Sequence, residues 1–166
     1  MITGLGIAAL IFVSDQLIKW LVIGPLELRQ RLNIELLPFF DLTYVENRGV
    51  SLGMFEATSA EMRWMLVGVT ALIAVVVAVW MLRERLLGEI AGLGLILGGA
   101  LGNIVDRTKL GYVIDYADFH IGDFRPFLVF NVADAAITIG VVIILVRSFF
   151  VSDNADKDAA EMPPAR

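Results

Sequence analysis

The sequence predicts a mainly α, integral membrane protein with four transmembrane helices and a small antiparallel β-sheet outside the bilayer. Three observations predict it. Of the 166 residues 58% are hydrophobic, where soluble domains hold roughly 45–50%. Several apolar runs approach the roughly 20 residues that a bilayer crossing needs. Between two of them lies a stretch in which apolar and polar residues nearly alternate, the period of a strand with one wet face. The length suits one compact unit, so a single membrane domain is expected over residues 1–151.

The first span is expected at about 4–23. Residues 1–14 carry no charged side chain, and the apolar run resumes around Asp15 and Lys19. A signal peptide would show a basic start and a small-residue cleavage site, and neither is visible. In residues 26–36, Leu26, Leu28, Leu32, Ile34 and Leu36 lie on one side, with Gln30 the polar exception. Glu27, Arg29, Arg31, Asn33 and Glu35 lie on the other. This predicts a strand ending at Pro38, with a second strand over 42–46 and a turn at Asn47-Arg48-Gly49.

Thr58-Ser59-Ala60-Glu61 has the spacing of a capping box and marks a helix start. The second span follows at 64–82 and the third at 86–105. The third carries Gly94, Gly98 and Gly102 at four-residue intervals, a ridge that lets another helix approach closely. Residues 110–123 are polar and are expected to be irregular. The fourth span is expected at about 130–150, and the charged, Pro-containing tail from 152 to 166 is expected to be disordered. Four spans place both termini on one side and segments 24–63 and 106–129 on the other. Lys and Arg number seven in those two segments and five in the 83–85 loop, the end of the fourth span and the tail, so charge counting does not orient the chain.

Composition also limits the chemistry. There is no Cys, hence no disulfide, thiolate metal site or Cys nucleophile. One histidine, His120, argues against a multi-His metal site, so neither metal nor cofactor is expected. A net charge of −5 without a basic patch argues against nucleic acid.

The third span ends in Asn103-Ile-Val-Asp106-Arg107, and the fourth begins with Asn131-Val-Ala-Asp134. Both contain N-x-x-D, a spacing that puts the two side chains on one helix face. Both lie at the same membrane edge, with Tyr112-Val-Ile-Asp115-Tyr-Ala-Asp118 between them. Asp106, Asp115, Asp118 and Asp134 can therefore converge at one surface. Two carboxylates brought close share a proton, and such a pair can activate water while protonating a carbonyl oxygen. Each Asp taken alone reads equally as a helix cap or an ion pair, and the spacing does not choose the pair. Asp15 and Lys19, four apart, are expected to form an ion pair that orients the first helix. Gly49-Val-Ser51-Leu-Gly53 matches a G-x-S-x-G nucleophile elbow, but the strand-turn-helix context that an elbow needs is missing. A small proton-coupled carrier is the reading from another class; carriers place such carboxylates near the midplane, whereas these cluster at an edge. A non-catalytic scaffold built on the glycine ridge is a third.

Five motifs in order resemble the lipoprotein signal peptidase (signal peptidase II) family: Ser14-Asp15-Gln-Leu-Ile-Lys19, Glu46-Asn47-Arg-Gly49-Val-Ser-Leu-Gly53, Gly98-Gly-Ala-Leu-Gly-Asn103-Ile-Val-Asp106-Arg107, Val113-Ile-Asp115-Tyr and Phe130-Asn131-Val-Ala-Asp134. The likeness covers about residues 10–145. It implies a bacterial inner-membrane aspartic protease that cleaves prolipoproteins just before a diacylglyceryl-modified Cys. It implies Asp115 and Asp134 as the catalytic pair. Asn103, Arg107 and Asn131 would line the site and hold the substrate backbone, Asp106 would support it, and Asn47 and Gly49 would form the neighbouring extracytoplasmic element. The site and sheet would face the periplasm, with both termini cytoplasmic. Prolipoproteins, membrane lipid and globomycin-type cyclic peptide inhibitors are the implied partners of a monomer. Two positions depart from many relatives: Leu52 stands where an aromatic is common, and Tyr116 where Phe is common.

Overall fold

In the computed structural model of the protein, residues 1–49 and 59–161 are described, with side chains as far as residue 148. Ser51, Leu52, Gly53 and Thr58 lie outside the described residues. Four long helices form the body: α1 (Ile2–Ile23), α3 (Ala60–Arg83), α4 (Leu87–Lys109) and α5 (Val132–Glu161). A short helix, α2 (Leu28–Arg31), and strands β1 (Asn33–Leu37), β2 (Phe40–Asn47) and β3 (Val113–Phe119) gather at one end. Among the described residues three helices, α1, α3 and α4, are long and apolar enough to cross a membrane. Many large apolar side chains on α3 face outward, including Leu72, Val75 and Val76. A bilayer solvates such a surface; water does not.

α4 is the central helix, packed against α1, α3 and α5. Its sequence allows this because small residues occupy two of its faces. A Cβ at Gly98 would meet Ala8 O of α1 at 2.5 Å, and one at Gly94 would meet Gly4 O at 2.7 Å. The predicted ridge is thus the α1 crossing. On another face Gly92 abuts Gly140 of α5, and Gly99 abuts Ala133. These pairings run in opposite directions along the two chains, so α5 lies antiparallel to α4. Ala8, Ala74, Val77, Met81, Leu93 and Leu97 form the apolar centre of the bundle.

The sheet is antiparallel, in the order β1-β2-β3. Asn33 pairs with Thr43, and Val45 with Asp115. Leu42, Ile114, Tyr116 and Ala117 of the sheet cluster with Val22 and Leu28, which seats the sheet on the end of α1.

Three boundaries differ from expectation. The strand predicted over 26–36 forms only from Asn33. Glu27 (φ 50°) and Leu32 (φ 65°) turn the chain out of the extended region, and α2 between them buries Leu28 completely. Segment 110–123, expected to be irregular, contains β3; residues Val113 to Asp118 are all buried, so no wet face alternates with a dry one. Helix α5 continues to Glu161, where a disordered tail was predicted from 152. Ala155, Lys157, Ala159, Ala160 and Glu161 all have high helix propensity. Ser59 caps α3, its hydroxyl accepting from Met62 N at 3.3 Å.

Candidate active site

The N-x-x-D at the start of α5 is a reciprocal cap. Asn131 precedes the first helical residue, and its Oδ1 accepts from Asp134 N at 2.9 Å. Asp134 Oδ2 reaches back to accept from Asn131 N at 3.4 Å. This arrangement satisfies two of the backbone donors that a helix start leaves open. It also fixes where both side chains point. With Oδ1 committed to the cap, the Asn131 amide turns its Nδ2 to Asp115 Oδ1, at 2.6 Å.

Asp115 projects from β3 and is 2% exposed. Its second oxygen accepts from Asn47 Nδ2 across the β2–β3 pair at 3.0 Å. The Asn47 oxygen is held in turn by Gly49 N at 3.1 Å, an Asx turn at the end of β2. Arg107 Nη2 donates to Gly49 O at 2.8 Å and clamps that turn to α4. One helical turn before Arg107, Asn103 Nδ2 donates to Asp134 Oδ1 at 2.8 Å.

Beneath this layer is a buried charge cluster. Lys19 Nζ lies 2.8 Å from Asp15 Oδ2 and 2.7 Å from Asp106 Oδ2, and donates to Asn103 Oδ1 at 3.4 Å. Gln16 Nε2 donates to Asp15 and Asp106. Asp15 Oδ1 accepts from Ala133 N in the first turn of α5, at 3.1 Å. Ion pairing of this kind lowers the cost of burying charge in a bilayer.

Burial, and then the neighbouring Asp134 charge, push the Asp115 carboxyl up to about 7; the Asn47 and Asn131 donors pull the other way. Asp115 therefore holds its proton to near neutrality. Both acids line a cavity of about 610 Å³, together with Asn47, Asn103 and Arg107. Leu66 and Thr70 of α3 and Ile137 and Ile139 of α5 make its remaining wall largely apolar. A protonated carboxyl and a second carboxylate lining one largely apolar cavity are groups that can do acid–base work.

Of the four acids predicted to converge, only Asp115 and Asp134 line this cavity. Asp106 turns inward to Lys19 and to Ile114 N. Asp118 is taken by Thr43 and Arg125. The Asp15–Lys19 pair forms as predicted, with Asp106 added to it. Gln16 and the Ala133 amide were missed; Gln16 sits beside Asp15 in sequence, but the backbone contact has no sequence signal. His120 lies beside Asp41, Nε2 to Oδ2 3.3 Å, and is not part of this site. Among the described residues no three His, Asp or Glu side chains are grouped as a metal site requires.

The helical bundle and the outward apolar surface define a multi-pass membrane protein, with two carboxyls lining a cavity at one end. The family model for signal peptidase (SPase) II matches residues 7–150, and the chain belongs to that family, one of aspartic proteases. The lipoprotein signal peptidase of Rhizorhabdus wittichii is 55% identical over 150 residues, covering 90% of this chain and 87% of the relative. That of Sphingopyxis alaskensis is 52% identical over 158 residues, covering 95% and 91%. A bacterial membrane enzyme structure determined by the in meso method at 1.9 Å resolution superposes with a TM-score of 0.73 at 27% identity, covering 89% of this chain and 92% of that one. Another, at 2.3 Å resolution, gives 0.78 at 24% identity over 100% and 94%, a likeness of fold.

Proposed function

We propose that the protein is an intramembrane aspartic endopeptidase that removes the signal peptide from prolipoproteins, cutting just before the diacylglyceryl-modified Cys. Asp115 and Asp134 are the water-activating pair. The observation that carries this reading is that these two, of four acids at the edge, share one cavity and one set of amide donors. In the singly protonated pair, the ionised carboxyl takes a proton from water as the water attacks the scissile carbonyl. The protonated one donates to the carbonyl oxygen, and the proton then passes to the leaving amine. Arg107 Nε is buried without a partner among the described residues, which suits a donor kept for a substrate carbonyl. Asn47, Asn103 and Asn131 hold the acids, Gly49 shapes the turn beside them, and Asp15, Lys19 and Asp106 support the floor.

Helix α5 supplies a fourth crossing. It accompanies α4 from Ala133 beside Gly99 to Arg147 beside Gly88. The acid pair then lies at the periplasmic edge of the inner membrane, with both termini cytoplasmic. The lipid-anchored substrate brings its scissile bond to the same depth. Globomycin-type cyclic peptides compete for the cavity, and the protein works as a monomer.

The test is cleavage of a synthetic diacylglyceryl-Cys prolipopeptide by purified protein in detergent. Asp115→Asn and Asp134→Asn are each expected to lower kcat by about 10³-fold or more with the fold retained. Ser51→Ala is expected to cleave at the normal rate. Near-normal turnover by either Asn variant, or no cleavage by folded wild type, overturns the reading.

A further inference from the structure

Three asparagines deliver amide hydrogens to the two acids, and each needs something to hold its oxygen the other way. An amide that is free to flip presents O or N with equal ease. For Asn47 the holder is Gly49 N, and for Asn131 it is Asp134 N. Both holders are backbone amides within the same loop or cap. Asn103 lies inside helix α4, where no free backbone N–H is at hand. Its Oδ1 accepts instead from Lys19 Nζ of α1 and from Asn131 Nδ2, both at 3.4 Å.

We infer that Lys19 is a positioning residue for the reaction: its ammonium fixes the Asn103 amide, so that Asn103 presents N–H and not O to Asp134. This rests on the reading that Asp134 belongs to the acid pair. The location of the ammonium is itself determined. Asp15 and Asp106 grip it from two sides at 2.8 and 2.7 Å, and it is 3% exposed. Gln16 bridges the two carboxylates, so both gripping groups are held too. A flipped Asn103 would set its oxygen against Asp134 Oδ1 and its NH₂ against the ammonium, two repulsive contacts in a poorly solvated site. Ion pairing alone would not require the third Lys19 contact.

The test uses the double variant Asp15→Asn/Lys19→Met, which removes one charge of each sign and leaves the net charge unchanged. It is made with and without Asn103→Ala, and each protein is checked by thermal unfolding. With Asn103 present, the double variant is expected to lose about tenfold or more in kcat, with KM within about twofold. With Asn103→Ala already in place, it is expected to lose no more than about twofold further, because residues that act as one unit are not additive. The alkaline limb of the pH profile is expected to move up, since the Lys19 charge that helps to lower the Asp115 carboxyl is gone. Additive losses, an unchanged kcat, or a loss that appears only in KM would overturn the role. If the double variant does not fold, Lys19→Arg keeps the charge between Asp15 and Asp106 while its fork shifts the donor from Asn103. It is then expected to lose kcat at normal stability, and full activity would overturn the role. Asp134→Asn runs alongside: its activity tests the acid pair, whatever the Lys19 variants do.

Discussion

The Asn131 side chain has several duties. It caps α5, donates to Asp115, and donates to the oxygen of Asn103. It also donates to Ile114 O at 3.3 Å. Replacing it with Ala is expected to cost about 1–2 kcal/mol of stability through the lost cap, and to lower kcat by far more than that stability loss implies. Thermal unfolding measured beside turnover separates the two. The neighbouring acid makes a pH prediction. Asp115 is raised to about 7, so the protonated form is present below that value and is lost as pH rises through it. Activity that needs the singly protonated pair is expected to fall on the alkaline side near pH 7. Asn47 donates to the charged form of Asp115, so Asn47→Ala lets the acid hold its proton more tightly, and the alkaline limb is expected to move up by about half a unit to one unit. A profile of kcat/KM against pH checks both; a shift to lower pH for Asn47→Ala would contradict the assignment. At this scale much was legible in the sequence. N-x-x-D announced two side chains on one face, and the lone Asp15–Lys19 pair announced itself by spacing. What spacing did not reveal is which way each carboxylate turns. That is decided by partners such as Ile114 N and Arg125, which come from elsewhere in the chain.

Among the elements, α4 shows how a run of glycines becomes a mechanical requirement. Gly98 lies where any Cβ would strike the Ala8 carbonyl of α1, and backbone does not yield as a flexible side chain does. Gly98→Val is expected to force α1 and α4 apart and to destabilise the protein by about 2–4 kcal/mol, read as a lowered unfolding temperature in detergent. Gly6→Ala, where nothing lies within 4 Å of the added carbon, is expected to leave the unfolding temperature nearly unchanged. Equal effects from both would show that the crossing does not depend on Gly98. The helices were readable because long apolar runs have few alternatives. The sheet was only half readable. β2 follows its β-branched and aromatic residues, but β3 is buried on both faces and its Asp residues mimic a loop. The alternation of residues 26–36 was genuine, yet the chain uses it for a helical turn, because burying Leu28 against Val22 and Leu42 outweighs one more pair of strand residues.

Across the whole molecule, the site is a junction of distant parts: Lys19 from α1, Asn47 from β2, Asn103 and Arg107 from α4, Asp115 from β3, and Asn131 and Asp134 from α5. The first and last long helices are tied directly, with Ala133 N donating to Asp15 Oδ1. That tie has a consequence for biosynthesis. A chain emerging from the ribosome inserts its helices in order, and until α5 arrives Asp15 lacks this donor, while Asp115 lacks both its partner acid and the Asn131 amide. On the proposed mechanism, the site is complete only once α5 is in place. On that mechanism a ribosome-tethered chain ending before residue 131 is expected to cleave no prolipopeptide, so the order of synthesis itself keeps the unfinished chain silent.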